Sequence, residues 1–273
     1  MEIVRAVVLG LVQGLAEFLP ISSSGHLILV PALFNWEDQG LAFDVGLHGG
    51  TLLALLVYFW RDWYDMIRQG LIDLARHRAD VAAWDQRSRL LWLLAIGSIP
   101  AAVVGLLFDD WIEANVRQPW LVAITLAVMG TVMLIADRLG SRRRPLGSVG
   151  LVDALAIGAG QAVALIPGVS RSGATVTVAL ARGLRREDAV RFAFLLGTPA
   201  FVGALLLKSG DLAGMSGSEA RDMVIGFVTS AVVGFLAIHV LLRWVRTHSL
   251  LPFVLYRYAV ALFTLGIGAY RVL

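Results

Sequence analysis

No cysteine occurs among the 273 residues of the chain, so disulfides, thiolate catalysis and Cys-ligated metals are excluded and the redox compartment stays open. Charge is also scarce. Asp, Glu, Lys and Arg make up 16% of the residues against 58% hydrophobic ones, with mean hydropathy +0.76, well beyond the apolar share of a soluble domain. A polar segment long enough for a separate domain is missing too. The longest, Arg61 to Arg89, carries both signs of charge and is too short to bury its own core. The net charge is +3 and the pI about 9.7, but the bases are nearly all arginines in short loops between apolar runs, which fits membrane topology and not nucleic-acid binding. The start MEIVR is scarcely basic and no small-residue cleavage pattern follows, so the first helix is expected to be retained. These absences leave an all-α polytopic membrane protein, read as one membrane domain over residues 1–273.

What is present is organised around Gln13 to His26, QGLAEFLPISSSGH, and its echo from Gln161 to Gly173, QAVALIPGVSRSG. At one constant offset Gly10 falls on Gly158, Gln13 on Gln161, Ser22 on Ser170, Ser24 on Ser172 and Gly25 on Gly173. Each copy reads as an apolar helix that breaks at a proline, Pro20 or Pro167, and restarts in a Ser-Gly turn. The restarted pieces, Ser22 to about Phe34 and Ser170 to Ala181, are too short to cross a hydrocarbon layer of about 30 Å. Each pair is therefore expected to be a re-entrant hairpin.

Three spans follow each hairpin: Phe43 to Trp60, Leu90 to Phe108 and Pro119 to Ala136, then Phe192 to Leu207, Met223 to Leu242 and Leu250 to Tyr270. The repeats cover about 1–139 and 150–273, joined by the basic hinge Ser141 to Pro145. An odd number of crossings per half inserts the second copy upside down, so an inverted-topology repeat is expected. On this topology most arginines fall on one side, and only Arg5, Arg117, Lys208, Arg221 and Arg271 fall on the other. The basic side is expected to be cytoplasmic. Both termini and the first hairpin then open to the outer face, and the second hairpin enters from the cytoplasm.

The polar residues within these hairpins are the candidates for chemistry. Gln13 and Glu17 are four apart and share one helix face; a carboxylate at membrane depth costs enough that a function is expected of it, although a purely structural ion pair is the alternative. Ser22 or Ser23 caps the restarted helix, and that restart presents free N–H groups to an anion. His26, a turn further on, is a candidate nucleophile or general acid. In the second hairpin Gly168 and Gly173 permit close backbone approach, Ser170 or Ser172 caps the helix, and Thr175 lies a turn on. Arg171 is the strongest single signal for phosphate, because its fork holds two oxygens at once; its structural alternative is a bridge to Glu17. Asp44 and His48 rank lower as a supporting or capping pair, and Asp153 and Arg257 are expected to be helix-end or snorkelling residues.

QGLAEFLPISSSGH together with PGVSRSGAT resembles the undecaprenyl-pyrophosphate phosphatase family of bacterial inner membranes, the BacA/UppP type linked to bacitracin resistance. The resemblance covers essentially the whole chain, including FDVGLHGGTLLALLVYFWRDW from Phe43 to Trp63. The family's acid pair falls on Gln13 and Glu17, its histidine on His26 and its second motif on Pro167 to Thr175; the first acid is a glutamine here, which leaves Glu17 as the only carboxylate of the pair. The resemblance implies hydrolysis of undecaprenyl diphosphate to the monophosphate and inorganic phosphate, recycling the carrier lipid of peptidoglycan synthesis.

On that reading Arg171, Ser172, Thr175 and the two helix N-termini bind the diphosphate, with Ser22, Ser24, Gly168 and Ser170 around them. Glu17 acts as a base or as ligand to a divalent cation, Mg2+ or Ca2+, and Gln13 orients it. The nucleophile is Ser23, His26 or a water, with Ser23 preferred. Two rival classes use the same residues: a prenyl-phosphate transporter, and a structural or channel protein in which Glu17 and Arg171 only pair. The oligomeric state stays open, a homodimer among the options, and no nucleic-acid partner is expected.

Overall fold

The computed structural model describes residues 3–37, 40–78, 80–208 and 217–272. Among them the chain forms eleven α-helices and no strand, as a lipid solvent requires of any segment that cannot close into a barrel. The first half holds α1 (Ile3–Phe18), α2 (Ser23–Phe34), α3 (Leu41–Tyr58), α4 (Trp60–His77), α5 (Gln86–Asn115) and α6 (Pro119–Leu139); the second holds α7 (Leu151–Val163), α8 (Arg171–Ala181), α9 (Arg186–Lys208), α10 (Gly217–Thr247) and α11 (Leu251–Val272). All six expected spans fall on helices. Helices α5, α6, α9 and α10 have the length and apolarity to cross a membrane, and α3 with α4 forms a further pair bent by 69° at Phe59. The charged stretch after Trp60 is thus no simple loop. It folds into α4, whose apolar residues recur every three or four positions beside its charges, the pattern of a helix lying along an interface.

The two breaks are built alike. Ser22 and Ser170 are the N-caps of α2 and α8 at φ 79° and 75°, and their hydroxyls accept from Gly25 N at 3.3 Å and Gly173 N at 3.1 Å. Each hydroxyl also lies beside a second one, Ser24 Oγ at 3.4 Å or Ser172 Oγ at 3.2 Å. Positive φ in a serine is costly and persists only where the surroundings impose it. The second break is longer than expected. Helix α7 ends at Val163, ahead of Pro167, because successive i to i+3 bonds from Leu165, Ile166 and Val169 tighten the chain into turns.

Packing is exchanged between the halves: α1 runs along α10, and α7 along α5. Equivalent glycines make both crossings close. A Cβ on Gly10 would stand 2.8 Å from Gly226 O, and one on Gly158 would stand 2.0 Å from Gly97 O, so the helices meet backbone to backbone. At the start of α7, buried Asp153 is forked by Arg144 at 2.6 and 3.1 Å, and Arg182 reaches it at 2.7 Å. The Arg144 fork holds this carboxyl well below the usual carboxylate range. Asp153 is the helix-end residue the sequence suggested.

Arg257 is not. Instead of snorkelling it is fully buried, and its guanidinium donates to Pro20 O at 3.1 Å, Gly168 O at 2.8 Å, Val169 O at 3.1 Å and Leu126 O at 3.0 Å. One side chain thus fastens both breaks to α6 and α11. Replacing it by methionine would strand the buried carbonyl oxygens of Pro20, Gly168 and Val169, each at about 1–3 kcal/mol, while Leu126 O keeps its partner within α6. The expected outcome of Arg257→Met is a protein that fails to accumulate or unfolds far below the parent in detergent; melting together with the parent would show the staple to be dispensable.

Candidate active site

The hairpin fold of α1 and α2 carries the chain back across its own break, which sets Ser23 against Glu17 although six residues separate them. Ser23 Oγ donates a hydrogen bond to Glu17 Oε2, and the same oxygen accepts from Gln13 Nε2 at 3.0 Å. Gln13 also reaches Thr51 Oγ1 on α3 at 3.5 Å, while its own Oε1 is buried without a partner. From α3 comes His48, whose Nε2 lies 3.5 Å from Glu17 Oε2. Its Nδ1 contacts Asp44 O at 2.8 Å. A carbonyl only accepts, so Nδ1 carries the hydrogen and Nε2 is left to face the carboxylate. Sequence reasoning ranked His48 low; its sole signal was the i, i+4 spacing with Asp44, which does not say what α3 packs against.

Arg171 opens α8 at a cavity of about 250 Å3 whose lining combines Ser24, Asp44, His48, Arg117 and Arg171 with Leu27, Ile28, Ile112, Leu165, Phe201 and Leu205. Its guanidinium lies 3.9 Å over the Phe201 ring, and its Nη1 has no hydrogen-bond partner. No direct ion pair joins it to Glu17, although Glu17 lies near enough to act on its charge. The stacking fixes the plane of the fork while leaving its N–H edge for an anion. Asp44 Oδ2 stands 3.8 Å from Arg117 Nη2 at the same cavity. A lining that mixes charged with apolar side chains suits a charged head on a hydrocarbon chain.

The remaining candidates are placed differently. His26 turns away from Glu17: Nδ1 donates to Ser22 O at 2.7 Å, and Nε2 pairs at 2.8 Å with the hydroxyl of Tyr256, on whose ring the imidazole stacks. Ser22 and Ser170 are spent on their caps, and Ser172 Oγ donates to Leu19 O at 3.3 Å, tying the hairpins together. The Thr175 hydroxyl bonds back to Arg171 O at 2.7 Å on its own helix. Gly168, at φ 89°, approaches α6 closely: a Cβ there would stand 2.0 Å from Thr125 Oγ1, which donates to Pro167 O at 2.7 Å. The structure therefore gathers Gln13, Glu17, Ser23, His48 and Arg171, with Ser24 on the cavity wall. The offset that equates Ser22 with Ser170 also equates Ser23 with Arg171 and Glu17 with Leu165. Two copies of one scaffold thus present an acid–hydroxyl pair from one side and a cation from the other.

Broken helices, a buried carboxylate holding a serine hydroxyl, and an arginine at an amphipathic cavity occur together in an α-helical multi-pass membrane protein. The chain belongs to the bacitracin resistance protein BacA family, whose model matches residues 6–263. Among curated proteins it is 48% identical to an undecaprenyl-diphosphatase of Moorella thermoacetica over 96% of each chain. It is 46% identical to that of Desulforudis audaxviator over 98% of each, and 45% identical to that of Rubrobacter xylanophilus over 96% of each.

Proposed function

We propose that this protein is an integral-membrane undecaprenyl-diphosphatase in which Ser23 attacks the terminal phosphorus with Glu17 as base. The observation that carries the mechanism is the Ser23 hydroxyl held on the Glu17 carboxylate, opposite an arginine whose fork is not spent on protein. Ser23 Oγ bonds to the terminal phosphorus, its proton passes to Glu17, and the bridging P–O bond breaks, so the bridging oxygen departs on undecaprenyl phosphate. Glu17 next gives that proton up to His48; water then attacks the phosphoserine as Glu17 takes one of its protons, the bond from phosphorus to Ser23 Oγ breaks, inorganic phosphate leaves, and the Ser23 oxygen takes the proton back from Glu17. Arg171 gathers the charge on the transferring oxygens. His48, with its tautomer set by Asp44 O, exchanges a proton with Glu17 between the two steps. At about 0.8 kcal/mol per buried CH2 a long prenyl chain stays in the bilayer, so the head group enters the cavity laterally.

A divalent cation fits this site only as a companion of the substrate. No group of three His, Asp or Glu side chains is arranged to hold a metal among the described residues; Glu17, His48 and the unpartnered Gln13 Oε1 are the donors at hand. Mg2+ keeps much of its shell as water and phosphate oxygen and is commonly held by one or two carboxylates, which Glu17 with a diphosphate satisfies. When bound, the ion would supply charge neutralisation across the two phosphates. Gln13→Glu is expected to lower the Mg2+ or Ca2+ concentration for half-maximal activity about tenfold, since it adds a second carboxylate; an unchanged titration would remove Glu17 from the ligand set.

The packing exchange of α1 with α10 and α7 with α5, and the matched breaks, support the inverted repeat, and the arginine bias supports a plasma-membrane protein with the site and both termini toward the outer face. Phosphate release from undecaprenyl diphosphate by detergent-purified protein tests the reaction, because hydrolysis needs no second compartment and transport does. His48→Gln is expected to lower kcat by about 10- to 100-fold, below the range of a direct proton acceptor, and to flatten one limb of the pH profile while KM holds. A profile of unchanged shape would make His48 a packing residue.

A further inference from the structure

A second and larger cavity shares no lining residue with the Glu17 site. It lies between α4, the 3-10 turn at Val81–Ala83, α5 and the starts of α7 and α9, and its volume is about 1220 Å3, above the roughly 300–1,000 Å3 typical of small-molecule pockets. Met66, Leu74, Leu90, Trp92, Leu93 and Ile96 give it a long apolar wall. Asp62, Asp65 and Asp188 also line it, but each is matched by an arginine: Asp62 with Arg191, Asp65 with Arg87 at 2.9 Å and Asp188 with Arg185 at 3.7 Å. Two further arginines of the lining, Arg78 and Arg89, have no carboxylate partner among the described residues; Arg89 places one nitrogen on Ala82 O at 2.7 Å. The lining therefore carries surplus positive charge.

The setting narrows the occupant. Helix α4 bends 69° away from α3, carries charges along one face and presents Leu71, Leu74 and Ile67 exposed on another, as does a helix lying in the head-group region. The cavity therefore opens where acyl chains and phosphates coexist, on the arginine-rich side of the chain, where basic pockets between membrane helices take anionic lipid heads. A free phosphate would use the arginines and leave the apolar wall wet; a zwitterionic lipid would use the wall and gain little from the surplus charge.

We propose that this cavity is a binding site for one anionic phospholipid, with its phosphate on Arg78 and Arg89 and its acyl chains along Met66, Leu74, Leu93 and Ile96. It is a site for a bound lipid, separate from the hydrolytic centre.

The test uses the full-length protein, delipidated in detergent and offered phosphatidylglycerol, phosphatidylcholine or inorganic phosphate. Native mass spectrometry reads retained lipid and a thermal scan reads stability. Phosphatidylglycerol is expected to be retained at least tenfold better than phosphatidylcholine and to raise the melting midpoint, with inorganic phosphate doing neither. The Arg78→Ala/Arg89→Ala double variant is expected to lose that preference while hydrolysing undecaprenyl diphosphate at the parental rate in phosphatidylcholine. Leu93→Trp, which fills the apolar wall and leaves both arginines, is expected to weaken retention of both lipids. Equal retention of the two lipids by the parent would overturn the proposal. So would an undiminished preference in the double variant, or stabilisation by phosphate alone, which would mark a plain anion site.

Discussion

Glu17→Gln is expected to leave a folded membrane protein that hydrolyses undecaprenyl diphosphate on the order of 10²–10⁴-fold more slowly, the range for loss of a positioned general base. Glutamine keeps the length and shape of the side chain, so the contacts with Gln13 at 3.0 Å and with the Ser23 hydroxyl have a replacement oxygen or amide to meet. It cannot accept a proton. The loss should therefore fall on kcat with little change in KM, and the melting temperature should stay near that of the parent. Phosphate release under saturating substrate measures the first, a thermal scan the second. Activity within a few-fold of the parent would mean that the Ser23–Glu17 contact is structural and that a water activated elsewhere is the nucleophile.

Arg171→Ala is expected to cost about 10²–10³-fold in kcat, the usual loss for one preorganised donor aimed at developing charge. Arg171→Lys should recover little of it. Lysine has no planar edge to lie 3.9 Å over Phe201, and an ammonium is a point charge that cannot hold two phosphate oxygens in one plane. Arg171 makes no direct ion pair and Glu17 keeps His48, Ser23 and Gln13 as neighbours when the charge is removed, so the expected stability change is small. Full activity in Arg171→Ala would move the phosphate-binding role to Arg117 on the same cavity wall. A large loss confined to KM would make Arg171 a ground-state binder and not a stabiliser of the reaction's charge.

Much of this arrangement was readable in the chain before any coordinates. Breaks at Pro20 and Pro167, the six apolar runs and the repeat offset all rest on local chemistry: a proline cannot continue a helix, and apolar length decides what crosses a bilayer. Glu17 and Ser23 stood close on either side of one break, so the hairpin alone was enough to bring them together. His48 and Arg257 were not readable in the same way. What each does depends on which neighbour its helix packs against, and neither α3 on the hairpin nor α11 on both breaks is written in helical periodicity. The N-cap positions at Ser22 and Ser170 were narrowed to two serines each and no further, since either hydroxyl satisfies the rule for a cap. Helix α4 was missed for a different reason. Its charges suggested a loop, although apolar residues at Trp63, Met66, Ile67, Gly70, Leu71 and Leu74 keep helical spacing through it.

The Arg257 staple has a bearing on how the protein is made. Its four carbonyl partners lie at Pro20, Leu126, Gly168 and Val169, all synthesised long before the arginine itself, and Tyr256, which orients His26, is its immediate neighbour. During synthesis both hairpins and most spans leave the ribosome while neither break has its fastening. The emerging chain therefore inserts as an assembly without a finished centre, and the arrival of α11 is the step that locks it. Ribosome-stalled chains ending before residue 250 should reach the membrane yet release no phosphate.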